Sequence, residues 1–273
     1  MPRSDDFSVR HIGPNPDSIE KMLGVLGVDS LDDLIQQTVP ESIQSSEDFS
    51  LPRSLDENRL NKLSRNIAAD NTAAISMIGM GYYGTVTPPV IRRNVMENPD
   101  WYTAYTPYQP EVSQARLEIL ITFQQMIMDL TGMELANASM LDEATAAAEA
   151  MMVARRVSKS KSNRFLVDQD CLPQTIAVIQ TRAEPMDIEV VVGNCDAEVY
   201  NGEYFAGLMQ YPGTSGLVRD FSGVIDKLKS QQALAIMAAD PLALTLLTPP
   251  GELGADIAIG STCLLYTSDA ADD

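Results

Sequence analysis

The chain has 273 residues, 45% of them hydrophobic, and a formal net charge of -19 from 38 acidic against 19 basic residues. That length buries a sizeable core as one large or two medium domains without metal or disulfide support, and that charge repels nucleic acid and anionic lipid. A single histidine (His11) and three widely spaced cysteines (Cys171, Cys195, Cys263) with no C-x-x-C argue against zinc sites and histidine-based triads and for a reducing, cytoplasmic setting.

The N-terminal stretch MPRSDDFSVRHIG carries acids early and lacks an apolar segment, so it predicts neither a secretory signal nor a mitochondrial presequence. No run of 18 apolar residues predicts a membrane span. Residues 1–78 read as a helical arm. Asn15 caps a helix with Pro16 at its first position and Gly27 closes it; SLDDLIQQTV forms a second short helix ending at Pro40. Ser54-Leu-Asp-Glu57 has the form of a capping box opening a helix to about Asp70, with Leu60, Leu63 and Ile67 on one face.

Residues 79–111, GMGYYGTVTPPVIRRNVMENPDWYTAYTPYQPE, hold five of the nine tyrosines and the only tryptophan, Trp101. Their aromatics follow neither a period of two nor one of 3.6, which suits a Pro/Gly-punctuated pocket wall better than a core element. Gly79, Gly81 and Gly84 formally match the dinucleotide fingerprint, but that fingerprint needs a helix starting inside the motif, and here Pro88-Pro89 places the next helix after the glycines.

Ser113 to Leu130 predicts a long helix stopped by Gly132, with Leu117, Leu120, Ile121, Ile127 and Leu130 marking a buried face. NASMLDEATAAAEAMMVARRV follows, an alanine-rich helix from about Leu141 to Val157 with Asp142 and Glu143 in its first turn and methionines suited to core filling. Ser139 and Asp142 either cap this helix or face a phosphate. From Arg164 short apolar runs alternate with helical ones and predict strands near 164–168, 188–192, 205–210, 234–239 and 256–259, the pattern of a parallel sheet covered on both faces.

The tyrosine loop, the NASMLDEATAAAEAM helix and AADPLALTLLTPPGELGADIAIGS, in this order, resemble the P-proteins of the glycine cleavage system, glycine dehydrogenases (decarboxylating), from about Val9 to Ser261. The resemblance is to the N-terminal half of that family, truncated, and implies an incomplete fold-type I pyridoxal-phosphate-dependent transferase-like α/β domain over 79–262. The lysine that binds pyridoxal phosphate belongs to the other half. What the resemblance implies for the complete protein is an oxidoreductase of glycine catabolism, which decarboxylates glycine and transfers the aminomethyl group to the lipoyl group of the H-protein. Its expected partners are glycine, the lipoylated H-protein, the T- and L-proteins, and a C-terminal half or second subunit, in a homodimer or heterotetramer, with no nucleic acid and no membrane.

None of the six lysines, Lys21, Lys62, Lys159, Lys161, Lys227 and Lys229, suits covalent attachment of that cofactor, so the chain is expected not to bind it and to be inactive in isolation. Asp240 stands where the resemblance places the aspartate that pairs with the pyridine nitrogen; since this half resembles a vestigial site, a cap before Pro241 is the preferred reading. Tyr82, Tyr83, Tyr105, Tyr108, Gln109 and Glu111 are the candidates for lining a substrate and lipoyl-arm channel, the alternative being a packing loop. A non-catalytic partner subunit and, more remotely, a nucleotide-binding enzyme are the other readings. The resemblance stops at Cys263, and residues 263–273 read as a non-native tail whose removal from Leu264 onward should leave stability unchanged within about 0.5 kcal/mol.

Overall fold

The computed structural model describes residues 7–264 except 12, 46, 48, 82, 103–105 and 107; side chains of Ser8, Val9 and Leu264 are also outside the description. The chain divides into two compact units, Met1–Ile75 and Ser76–Asp273.

The first unit is helical: α1 (Phe7–His11), α2 (Pro16–Leu26), α3 (Leu31–Thr38) and α4 (Glu57–Ala69). The Asn15 side chain accepts from Ser18 N–H to cap α2, and Gly27, left-handed at φ 70°, ends it. Ser30 caps α3 in the same way. The cap of α4 is Asp56, which accepts from Arg59 N–H at 2.8 Å, rather than the expected Ser54. An aspartate directly before the helix satisfies the orphan donor without the two-residue lead that Ser54 would have needed. Leu60, Leu63 and Ile67 do share a face, but each is exposed. His11 is exposed and stacks on Phe7 in α1.

In the second unit the glycine-rich turn leads to a short helix α5 (Pro89–Ile91), continued by a wide turn of helix over Arg92–Met96. The long helix α6 (Pro110–Thr131) carries a break at Ser113 and ends at left-handed Gly132. Its expected buried face is only half covered: Leu117, Leu120, Ile127 and Leu130 are half-buried, whereas Ile121 is 65% exposed. The sequence period identifies a stripe, but the depth of its burial depends on what packs there.

Helix α7 (Glu143–Val157) precedes a five-stranded sheet formed by β1 (Arg164–Asp168), β2 (Glu189–Gly193), β3 (Ala206–Tyr211), β4 (Leu234–Ala239) and β5 (Ile257–Ile259), with α8 (Pro173–Ala183), α9 (Cys195–Glu198), α10 (Ser222–Ser230) and α11 (Pro250–Leu253) in the connections. All pairings are parallel and the order is β2-β1-β3-β4-β5. The strands begin and end within one residue of the expected positions. Their alternation explains the near-continuous apolar runs. Phe165, Val167, Leu208, Ile236 and Ala238 pack on one face with α7 and α8, and Leu166, Met209, Met237 and Ala239 pack on the other with α9 and α10.

Fully buried Ala147, Ala148 and Ala154 let α7 approach the sheet closely, with Met151 filling the remaining space. Burying each large apolar side chain of this layer, such as Met151 or Ile236, contributes roughly 1.5–3 kcal/mol. Because β1 connects to β2 on one side and β3 returns on the other, the strand order reverses at β1. A crevice therefore opens at the carboxyl ends of the strands.

Candidate functional site

A cavity of about 210 Å³ lies at those carboxyl ends, lined by Gly81, Tyr83, Glu143, Leu172, Gln210 and Asp240 among others. Gln210 sits near the end of β3 and Asp240 follows β4, so the parallel register that pairs Gln210 with Ala238 brings their side chains to one rim. Glu143 is the first residue of α7, and Asp142 immediately before it caps the helix by accepting from the N–H and hydroxyl of Thr145 at 2.8 and 2.9 Å. These bonds hold the Asp142 carboxyl below its ordinary pKa. Capping is thus the role the structure gives Asp142. The Ser139 hydroxyl instead donates to the carbonyl of Met140 at 3.0 Å.

Glu143 is 6% exposed, and burial pushes its carboxyl up. The Gln210 amide, which donates to Glu143 Oε1 at 3.4 Å, opposes that shift; the neighbouring charge of Asp240 adds to it, and the Ser261 backbone opposes it again. The sign for stability follows. A carboxyl raised in the folded state holds its proton more tightly there, so its contribution favours folding at low pH and is lost as pH rises from about 4.3, the unfolded glutamate value, through the raised folded value. Glu143→Gln is therefore expected to gain melting temperature over the native chain progressively across that window and little below pH 4. Paired melts from pH 4 to 7 check it, and a constant difference across that range would contradict it.

Asp240 Oδ1 accepts from Leu242 N–H at 2.8 Å, opening the short turn over Ala243–Thr245. It acts as a local cap and also faces the cavity. The glycine turn forms the opposite wall. Gly79, Met80 and Gly81 all have positive φ (67°, 60° and 85°), and a β-carbon on Gly81 would stand 2.6 Å from Leu172 Cδ1. Gln174 Nε2 donates to Met80 O at 2.9 Å and fastens the turn to the start of α8. Among the described residues no helix begins in this motif, which makes it a packing turn and not a dinucleotide cradle.

Of the tyrosine-loop candidates, Tyr83 lines the cavity while remaining 58% exposed. Tyr108 is 83% exposed, and with Gln109 and Glu111 it marks the N-terminal end of α6, apart from the cavity lining. Tyr82 and Tyr105 lie outside the described residues. Glu143 and Gln210 were not anticipated as cavity residues. A polar Gln inside the otherwise apolar run AGLMQY was the available signal. Among the described residues no group of three or more His, Cys, Asp or Glu side chains is placed to hold a metal, and no helix is long and apolar enough to cross a membrane.

Residues 9–265 match the family model for the glycine cleavage system P-protein. The chain is 56% identical over 262 residues to the glycine dehydrogenase (decarboxylating) of Stutzerimonas stutzeri strain A1501, covering 96% of this chain and 27% of that protein. It is 60% identical over 254 residues to the corresponding protein of Allorhizobium ampelinum, covering 93% and 26%. A crystal structure of a glycine decarboxylase (P-protein) of the glycine cleavage system, in inhibitor-bound form, aligns with a TM-score of 0.77 and 33% identity over 91% of this chain and 57% of that one. The chain thus spans about 27% of the length of the curated relatives it matches.

Proposed function

The chain belongs to the glycine cleavage system P-protein family, and we propose that it serves glycine decarboxylation by shaping the substrate channel, while the pyridoxal phosphate is held by a part of the enzyme outside these residues. One observation carries this reading: the crevice where a fold-type I enzyme would seat its cofactor is lined here by Glu143 and Asp240 and by no lysine. Asp142 and Glu143 place carboxylates at the N-terminus of α7, the position where a helix would otherwise receive a phosphate. The residues present do not fit the cofactor. Lys21, Lys62, Lys159, Lys161 and Lys229 are exposed, and Lys227 lies over the Tyr200 ring.

In the complete enzyme the bound cofactor would supply the electron sink for loss of CO2. The contribution of this chain would be to bind and orient glycine and the lipoyl arm of the H-protein through the tyrosine loop, with Tyr82, Tyr83, Tyr105, Tyr108, Gln109 and Glu111 as donors and acceptors on an otherwise apolar wall. The cofactor-bearing portion would be either a continuation of the same polypeptide or a separate subunit, giving a homodimer or heterotetramer. Buried free thiols at Cys171 and Cys195 suit a reducing, cytoplasmic compartment.

Tyr105→Phe, Tyr108→Phe and Glu111→Gln, introduced into the complete enzyme, are expected to lower glycine turnover about tenfold to a hundredfold with little change in melting temperature, since each deletes one hydrogen bond worth roughly 1–3 kcal/mol to a bound substrate or transition state. Native turnover in all three, with a lowered melting temperature, would make the loop structural and defeat the channel assignment.

A further inference from the structure

The turn between α9 and β3 carries a reactive dipeptide that the channel reading does not use. Asn201 is exposed and is followed by Gly202, and no other asparagine of the chain precedes a glycine. Its backbone is held in the turn by its N–H, which donates to the Glu198 carbonyl at 2.9 Å. Among the described residues neither the Asn201 side-chain amide nor the Gly202 N–H has a hydrogen-bond partner, so the electrophilic Cγ and the backbone nitrogen that follows it are both unencumbered. Asn163 and Asn194, which flank strands of the sheet, differ. Asn163 Oδ1 accepts from Arg155 Nε at 3.2 Å while its Nδ2 donates to the Asp187 carbonyl, Asn194 Oδ1 accepts from Asp196 N–H at 3.0 Å, and the residues after them are arginine and cysteine.

Packing accounts for the glycine. A β-carbon on Gly202 would run into the Arg164 guanidinium, which lies over the Tyr204 ring and pairs with Glu189 at 3.1 Å. The residue that this contact demands is also the one that shields its own nitrogen least and turns most freely. We propose that Asn201-Gly202 is a self-modification site, at which the folded chain converts asparagine to aspartate and isoaspartate with water as the only co-reactant. The Gly202 nitrogen attacks Asn201 Cγ, the new C–N bond closes a succinimide, and the Cγ–Nδ2 bond breaks to release ammonia, which carries away the Gly202 amide proton. Water then opens the ring at either carbonyl, giving aspartate or isoaspartate, and no oxidant or reductant is needed. Each product adds a negative charge beside Glu198 and Glu203 on a chain already at -19. Isoaspartate also lengthens the backbone by a methylene. Gln231 Nε2 donates to the carbonyls of Gly202 at 3.0 Å and Val199 at 3.2 Å while its Oε1 accepts from Tyr204 N–H at 3.1 Å, so the longer backbone draws the Gly202 carbonyl out of this clamp.

The test is incubation of the 273-residue chain at mildly alkaline pH in water enriched in heavy oxygen, followed by peptide mapping with fragmentation that separates isoaspartate from aspartate. Asn201 is expected to take up heavy oxygen at least about tenfold faster than any other asparagine. Because an exposed turn opens at little cost, its rate in the folded chain should lie within about tenfold of that in the urea-unfolded chain. The modified chain should melt below the fresh one. Asn201→Gln, whose longer side chain closes a ring far more slowly, should show neither the label at this position nor the lowered melting temperature after the same incubation. Another asparagine modified first, or an Asn201 that stays intact in the folded chain while the unfolded chain reacts, would overturn the proposal. A modified chain that melts with the fresh one would overturn the part given to the Gln231 clamp.

Discussion

Arg219→Met is expected to destabilise the sheet domain by about 3–5 kcal/mol, because it strands a carboxylate that is fully buried. Asp168, the last residue of β1, is 0% exposed. Its oxygens accept from Asp170 N–H at 2.9 Å, Cys195 N–H at 3.1 Å and Arg219 Nη1 at 2.9 Å. Arg219 also reaches Asp196 at 2.6 Å and lies over the Phe221 ring. This one guanidinium therefore ties the end of β1 to the start of α9 and to the segment entering α10. The substitution removes the charge while the two backbone N–H donors continue to hold the carboxylate in place. Equilibrium denaturation of Arg219→Met, Asp168→Asn and the double variant checks it. A coupling energy near zero would show that the pair contributes nothing, whereas a loss in the single variant partly recovered in the double variant is the expected result.

Gly251→Val is expected to cost about 3 kcal/mol for a different reason, backbone contact. Gly251 in α11 lies against the carbonyl group of Gly132, the left-handed residue that closes α6, so that any side-chain carbon on Gly251 would be driven into that carbonyl. A flexible side chain could move aside; a backbone group that ends a 22-residue helix cannot do so without moving α6. Gly223, with open space around its β-carbon position, is the control, and Gly223→Ala should be neutral or slightly stabilising. Thermal melts of the two variants decide the matter, and equal melting temperatures would contradict the close-packing account.

The sheet was legible because strands buried on both faces leave an unmistakable trace. RFLVD, AGLMQY and LAIMAA are each apolar nearly throughout and each is bounded by turn residues. The caps at Asn15, Gly27 and Gly132 were legible for a similar reason, since each is a local backbone demand met by one residue type. The cap of α4 was misplaced by two residues because Ser54 and Asp56 are both competent acceptors and only the chain's path chooses between them.

The cavity was scarcely legible. Glu143, Gln210 and Asp240 are separated by 67 and 30 positions and meet only because the parallel register places the ends of β3 and β4 beside the N-terminus of α7. Local pattern gave Glu143 a helix-dipole role and Asp240 a cap. Neither indicates a neighbour supplied by another element. The tyrosine loop shows the converse. Its composition was conspicuous, yet of its described candidates Tyr83 alone reaches the cavity, because a Pro/Gly-punctuated path without a period does not fix where side chains point.

The division of labour between this chain and a cofactor-bearing remainder is tested most directly by glycine-dependent exchange of labelled CO2. The measurement is made with the 273-residue chain alone and with a polypeptide supplying the rest of the P-protein length, followed by borohydride reduction and mapping of any pyridoxyl label. Exchange is predicted only when both polypeptides are present, with the label on the second. Exchange by this chain alone, with the label on one of Lys21, Lys62, Lys159, Lys161, Lys227 or Lys229, would contradict it.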